Sequence, residues 1–176
     1  MPLTIQCASS IALIAAITTL DVPPALAQQT ALAPTHLRFG ISFPAARSAQ
    51  PLDGRIILVI SNNDRREPRF ENNVYDADTQ LAFGIDVDSL GPGKEAYVDG
   101  GTFGYPLKSI ADIPPGEYWV QAVLNKYTTF HRSDGHVVEL HMDQGEGQQW
   151  NTSPGNLYNK PVKVRVDPGT DALIHL

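Results

Sequence analysis

Between Pro114 and Met142 the chain reads PPGEYWVQAVLNKYTTFHRSDGHVVELHM, two long runs of strand-forming residues around Ser133-Asp134-Gly135. β-Branched and aromatic residues dominate both runs, and neither carries the 3.6-residue recurrence of a helix. A three-residue connection with Gly in the left-handed position closes a tight hairpin. Closing it there pairs Arg132 with His136, Phe130 with Val138 and Thr128 with Leu140, which keeps like residues on one face. A chain that must accommodate such a ribbon folds as β.

The rest of the sequence agrees. Leu37, Phe39, Ile41 and Phe43 alternate with smaller or polar residues, as do Leu81, Phe83, Ile85 and Val87, and Val162, Val164 and Val166. A period of two places each set on one face of a half-buried strand. Tyr118, Val120, Ala122 and Leu124 form a further inward row, with Trp119, Gln121 and Val123 opposite. Ile56 to Ile60 is apolar without a break, the mark of a central strand covered on both faces. Short segments at Glu95 to Val98 and Ala172 to Leu176 add two more. With 14 Gly and 14 Pro as punctuation, the pattern predicts an all-β domain over residues 37–176. We expect an antiparallel, immunoglobulin-like β-sandwich of about seven to eight strands, with a barrel as the main alternative. Three connections are long: Asn62 to Gln80, Asp99 to Gly116 and Asp143 to Pro161. Loops of that length are often functional.

Ahead of this domain, Ile11 to Leu20 is an apolar run too short to span a bilayer. Asp21, Pro23 and Pro24 end it, and Ala25-Leu26-Ala27 offers small residues for cleavage. Residues 1–27 therefore read as a signal peptide and 28–36 as a flexible leader, with a secreted or periplasmic product. Cys7, the single cysteine, precedes the apolar run. Cleavage would leave no thiol, and so no disulfide, thiolate nucleophile or cysteine metal site. The acidic residues outnumber the basic ones, 19 to 13, and the basic ones are scattered. No stripe suits nucleic acid, and no segment after the signal is apolar enough for a membrane.

Reactive chemistry has few footholds. His131, His136 and His141 are spaced five apart, which invites a metal reading. The hairpin register sends His136 to one face and the other two to the opposite face. His131 and His141 then lie four residues apart along the ribbon, about 13 Å at strand rise, so no single ion is expected to bridge them. No Gly-x-Ser-x-Gly elbow is present, and Ser133 and Ser153 sit in turn and loop sequence. The pairs Asp76/Asp78 and Asp86/Asp88 lack the Asp-rich, Gly-turned loop of a calcium site. The residues predict no catalytic centre, no metal and no cofactor.

A surface for contact is easier to place. The loop DQGEGQQWNTSPGNLYNKP, from Asp143 to Pro161, surrounds Trp150 and Tyr158 with amide side chains. Aromatic faces beside amides suit sugar rings. The same loop could instead plug one end of the sandwich through Trp150, or pack on a neighbouring domain. Candidate binding residues are Trp150, Tyr158, Gln148 and Gln149, with His131 and Arg132 at the hairpin tip as a second set.

The stretches DGRIILVISNNDRREPRF, FGIDVD and IPPGEYWVQAVLNKYTTFHRSDGHVVELHMDQGEGQQWNTSPGNLYNKPVKV are familiar as a group. From Asp53 onward the chain resembles the amino-terminal β-rich region of large secreted bacterial proteins described as esterases or α/β hydrolases. TTFHRSDGH and DQGEGQQWN are the most specific parts. In those proteins this region precedes a separate catalytic domain, whose nucleophile and partners have no counterpart in residues 1–176. The resemblance therefore implies a non-catalytic accessory domain, with a hydrolase catalytic domain as its partner in cis or in trans. Carbohydrate binding through the aromatics of the 143–161 loop is the alternative.

Overall fold

In the computed structural model of the chain, Gly116–His131 forms one unbroken strand of 16 residues, about 50 Å long at strand rise. The strands in chain order are β1 Arg38–Ile41, β2 Leu52–Ser61, β3 Leu81–Leu90, β4 Ala96–Val98, β5 Gly104–Tyr105, β6 Gly116–His131, β7 Val137–His141, β8 Leu157–Tyr158, β9 Val162–Val166 and β10 Leu173–His175. The structure describes residues 36–71, 80–147 and 149–176, all within the unit Leu32–Leu176. The expected signal peptide, nearly all of the expected leader, Asp76, Asp78 and Gln148 lie outside the described residues.

The long strand β6 organises the larger sheet, whose order is β5-β3-β2-β6-β7. One edge of β6 carries β2, antiparallel, from Ser61 opposite Trp119 to Gly54 opposite Lys126. Along its other edge, three short strands follow one another. β9 pairs with Gly116–Val120, β8 with Val123 and Leu124, and β7 with Tyr127–His131. All three run antiparallel to β6. They amount to one long partner strand, interrupted between His141 and Leu157 and again between Tyr158 and Val162.

A smaller sheet, β10-β1-β4, pairs β1 in parallel with β10 and antiparallel with β4. The core lies between the two sheets. Leu37, Phe39 and Ile41 of the first strand region meet Ile56, Leu58 and Ile60 of β2, Phe83 of β3, and Val120, Ala122 and Leu124 of β6. These are the alternating rows of the sequence, and burying each large apolar side chain contributes about 1.5–3 kcal/mol.

The all-β expectation holds, with antiparallel pairing dominant. The strand order does not by itself define the immunoglobulin-like topology. At the hairpin the register is the one expected: Tyr127 opposite His141, Thr128 opposite Leu140, Phe130 opposite Val138 and His131 opposite Val137. Gly135 takes the left-handed conformation at φ 85°, and its N–H donates to the Arg132 carbonyl at 3.0 Å. A side chain with a Cβ is strained at that φ. As expected, β2 lies between β3 and β6 and is covered on both faces, since Leu58 on the core side and Val59 on the opposite side are both fully buried. Two strands were not expected. β5 and β8 fall inside predicted loops, because two residues carry no alternation to read and only pairing with β3 and β6 defines them.

One close approach ties β2 to the long strand. A Cβ on Gly54 would sit 2.3 Å from the Asn125 carbonyl oxygen of β6, inside any tolerated contact. Gly54→Ala should therefore push the two main chains apart, at a cost of about 1–3 kcal/mol, read from urea denaturation. Unchanged stability would contradict this contact.

Candidate functional site

Where its edge partner is interrupted, β6 would expose main-chain donors. Two asparagines take the place of the missing strand. The Lys126 N–H donates to Asn156 Oδ1 at 2.9 Å, and the Ala122 N–H donates to Asn159 Oδ1 at 2.7 Å. Asn156 Nδ2 in turn donates to Asn125 Oδ1 and to the Trp150 carbonyl. Leaving such a donor unsatisfied would cost about 1–3 kcal/mol, which explains the amide-rich composition of this loop in structural terms.

The face of β6 turned away from the core is covered as well. Gln121, Val123 and Val59 are fully buried there. The 3-10 turn Pro68–Phe70 reaches over this face, and its Arg69 N–H donates to Gln121 Oε1 at 3.2 Å. Gln121 Nε2 donates to Glu67 Oε2 and to the Asn159 carbonyl, both at 2.9 Å. The Arg69 side chain is nearly buried. Its guanidinium donates to Glu67 at 2.8 Å and to the Asn151 carbonyl at 3.1 Å. Its Cζ stands 3.6 Å from the Tyr158 ring centroid and 4.4 Å from that of Phe70. A desolvated guanidinium on an aromatic face is a strong form of cation–π contact. Glu67 completes the set. The Gln121 amide holds its carboxyl below the usual range, with Arg69 helping and burial opposing.

At the base of the loop, His141 Nε2 lies 2.7 Å from Glu146 Oε1 and 2.8 Å from Ser153 Oγ. Sequence reasoning did not bring these three together, and the arrangement invites comparison with a catalytic triad. The geometry differs from one. A triad places the acid on Nδ1 and the nucleophile on Nε2, whereas here both partners share Nε2. Ser153 Oγ also lies 3.0 Å from the Gln149 carbonyl, which takes its hydroxyl hydrogen. The set closes on itself if Nε2–H is shared between Glu146 and Ser153. It then clips the loop's outgoing and returning limbs together.

The residues singled out from sequence fall in different places. Tyr158 is 53% exposed, with Arg69 stacked on it. Trp150 is half-buried and is not among the residues packed on the core; Leu157 fills that role. Gln149 is exposed, and its carbonyl anchors the turn at Thr152 and Ser153. His131 and Arg132 are exposed at the hairpin tip, where Arg132 pairs with Asp134 at 3.0 Å. His136 also meets Asp134, at 3.2 Å, while His141 turns to Glu146. Among the described residues, no three His, Cys, Asp or Glu side chains gather closely enough to hold one metal ion. The one sequence signal for the Arg69 cluster was Gln121, a polar residue mid-strand between two apolar neighbours.

A half-open cleft of about 450 Å³ lies between the two sheets beside β8, with Tyr158 and the two asparagines on its rim. Among the described residues, no helix is long and apolar enough to cross a membrane. Comparison with protein-family models, with curated proteins and with solved structures found no match.

The clip at His141 has a pH signature. Burial pushes the Glu146 carboxyl upward, but its own N–H, the Gln144 N–H and His141 together outweigh this and hold it below the ordinary 4.5. A carboxyl depressed in the folded state contributes stability above its unfolded value, and that contribution fades as pH falls through the folded value. The Gln144 amide, which donates to Glu146 Oε2 at 3.0 Å, should report an NMR titration midpoint below the ordinary 4.5, absent in Glu146→Gln. A midpoint at or above that ordinary value would contradict the clip.

Proposed function

We propose that this chain is an exported, non-catalytic β-sandwich of the immunoglobulin-like kind, acting as an accessory interaction domain for a secreted hydrolase. The observation that carries the proposal is the construction of the segment from Asp143 to Pro161, which runs from β7 through β8 to β9. Side-chain bonds hold it at both ends, through Asn156 and Asn159 at one and through His141, Glu146 and Ser153 at the other. Its exposed residues, Tyr158 and Gln149, are thereby held ready for contact, which lowers the ordering cost of binding. The resemblance of Asp53–Leu176 to the β-rich region of secreted hydrolases supplies the class of partner. The committed hydroxyl of Ser153 supports a role without chemistry.

Carbohydrate binding is the second reading, favoured by the exposed ring of Tyr158. Its footing is narrower, because Arg69 stacks on that ring and the nearby asparagine amides are bonded to β6. The test has two arms. Titrated with a hydrolase domain encoded in the same reading frame or operon, the chain should bind, and Tyr158→Ala should weaken binding by about tenfold, roughly 1.4 kcal/mol. Binding to soluble polysaccharide instead, with a shift in tryptophan fluorescence, would favour the second reading. Hydrolysis of p-nitrophenyl acetate by the chain alone, lost in Ser153→Ala, would overturn both.

A further inference from the structure

The cleft between the sheets is lined mainly by apolar side chains. Ile41, Phe43, Ile56, Leu124 and Leu157 form its walls, and several of these belong to the core itself. Its volume, about 450 Å³, lies within the range of about 300–1,000 Å³ typical of small-molecule sites. Among the described residues, Arg47 carries the one charged side chain lining it, and no acidic side chain does. The chain as a whole has 19 acidic and 13 basic residues, so a basic side chain alone at the cleft is the less common sign. The Arg47 side chain forms no ion pair among the described residues, whose salt bridges involve other cations.

The polar rim narrows the choice further. Asn156 and Asn159 line the cleft, yet their amide oxygens accept from Lys126 and Ala122, and their amide nitrogens donate within the loop. A sugar would find few partners for its hydroxyls there. An apolar chain needs none along its length, and a carboxylate at its end would meet the guanidinium, assisted by Ser42 at the mouth. We propose that this cleft binds a single-chain amphiphile with an anionic head, of the carboxylic acid class, its tail between the sheets and its head on Arg47. The inference shares Tyr158 with the partner-domain reading and is distinguished from it by its test, which is read at Arg47 and at the methyl groups inside the cleft.

Dodecanoate, used below its micelle concentration, is the probe, with dodecyltrimethylammonium and dodecanol as controls of equal tail. The chain should bind one dodecanoate, at least tenfold more tightly than either control. Binding should shift the methyl resonances of Ala122, Leu124 and Leu157. Arg47 is exposed, so Arg47→Gln should fold normally; it should lower dodecanoate affinity about tenfold and leave dodecanol unchanged. Absence of dodecanoate binding, equal affinity for the three probes, unchanged affinity in Arg47→Gln, or shifts confined to residues outside the cleft would each overturn the proposal.

Discussion

The main-chain hydrogen bonding of β6 is the constraint from which the rest of this structure follows. A strand of 16 residues presents N–H and C=O groups on two edges, and each group buried without a partner carries a penalty. β2 answers one edge over half of the strand's length, from Trp119 to Lys126. The other is answered in pieces, by β9, β8 and β7, so the chain can leave that edge after His141 and return at Leu157 without unzipping the sheet. Asn156 makes that departure tolerable, and Asn159 the shorter gap between β8 and β9, because an amide oxygen accepts from a strand N–H as a carbonyl would. The loop is thus an excursion permitted by side-chain mimicry of a strand.

Much of the fold was legible because it is written in period two. The inward rows at Phe39, Phe83, Val120 and Val164 name the core faces, and Ser133-Asp134-Gly135 determines the hairpin register to the residue. What escaped was long-range or too short to have a period. β5 and β8 are two residues each and exist only by pairing with strands elsewhere. The cover over the outer face of β6 depends on Arg69, 52 residues from Gln121, and no local pattern announces such a contact. Gln121 was the visible clue, since a glutamine amid apolar strand residues must find partners or solvent.

The candidate site was legible only in outline. Composition marked the 143–161 loop, and the aromatics and amides there do occupy its structure, but with divided roles. The asparagines complete the sheet and Tyr158 stacks on Arg69, while Gln149 lends its carbonyl to a turn. His141 illustrates the limit best. Its strand position was readable from the register, yet its partners Glu146 and Ser153 come from the loop it opens, whose path the sequence does not specify. The cleft escaped for the same reason, since its walls come from both sheets and only their packing creates it.

The claim that two asparagine side chains stand in for a missing strand is open to direct measurement by native-state hydrogen exchange. The Ala122 and Lys126 amides should be protected as strongly as their neighbours on β6. Asn159→Ala should accelerate exchange at Ala122, and Asn156→Ala at Lys126, with protection across β2 largely retained. Protection at those two amides that survives both substitutions would contradict the account.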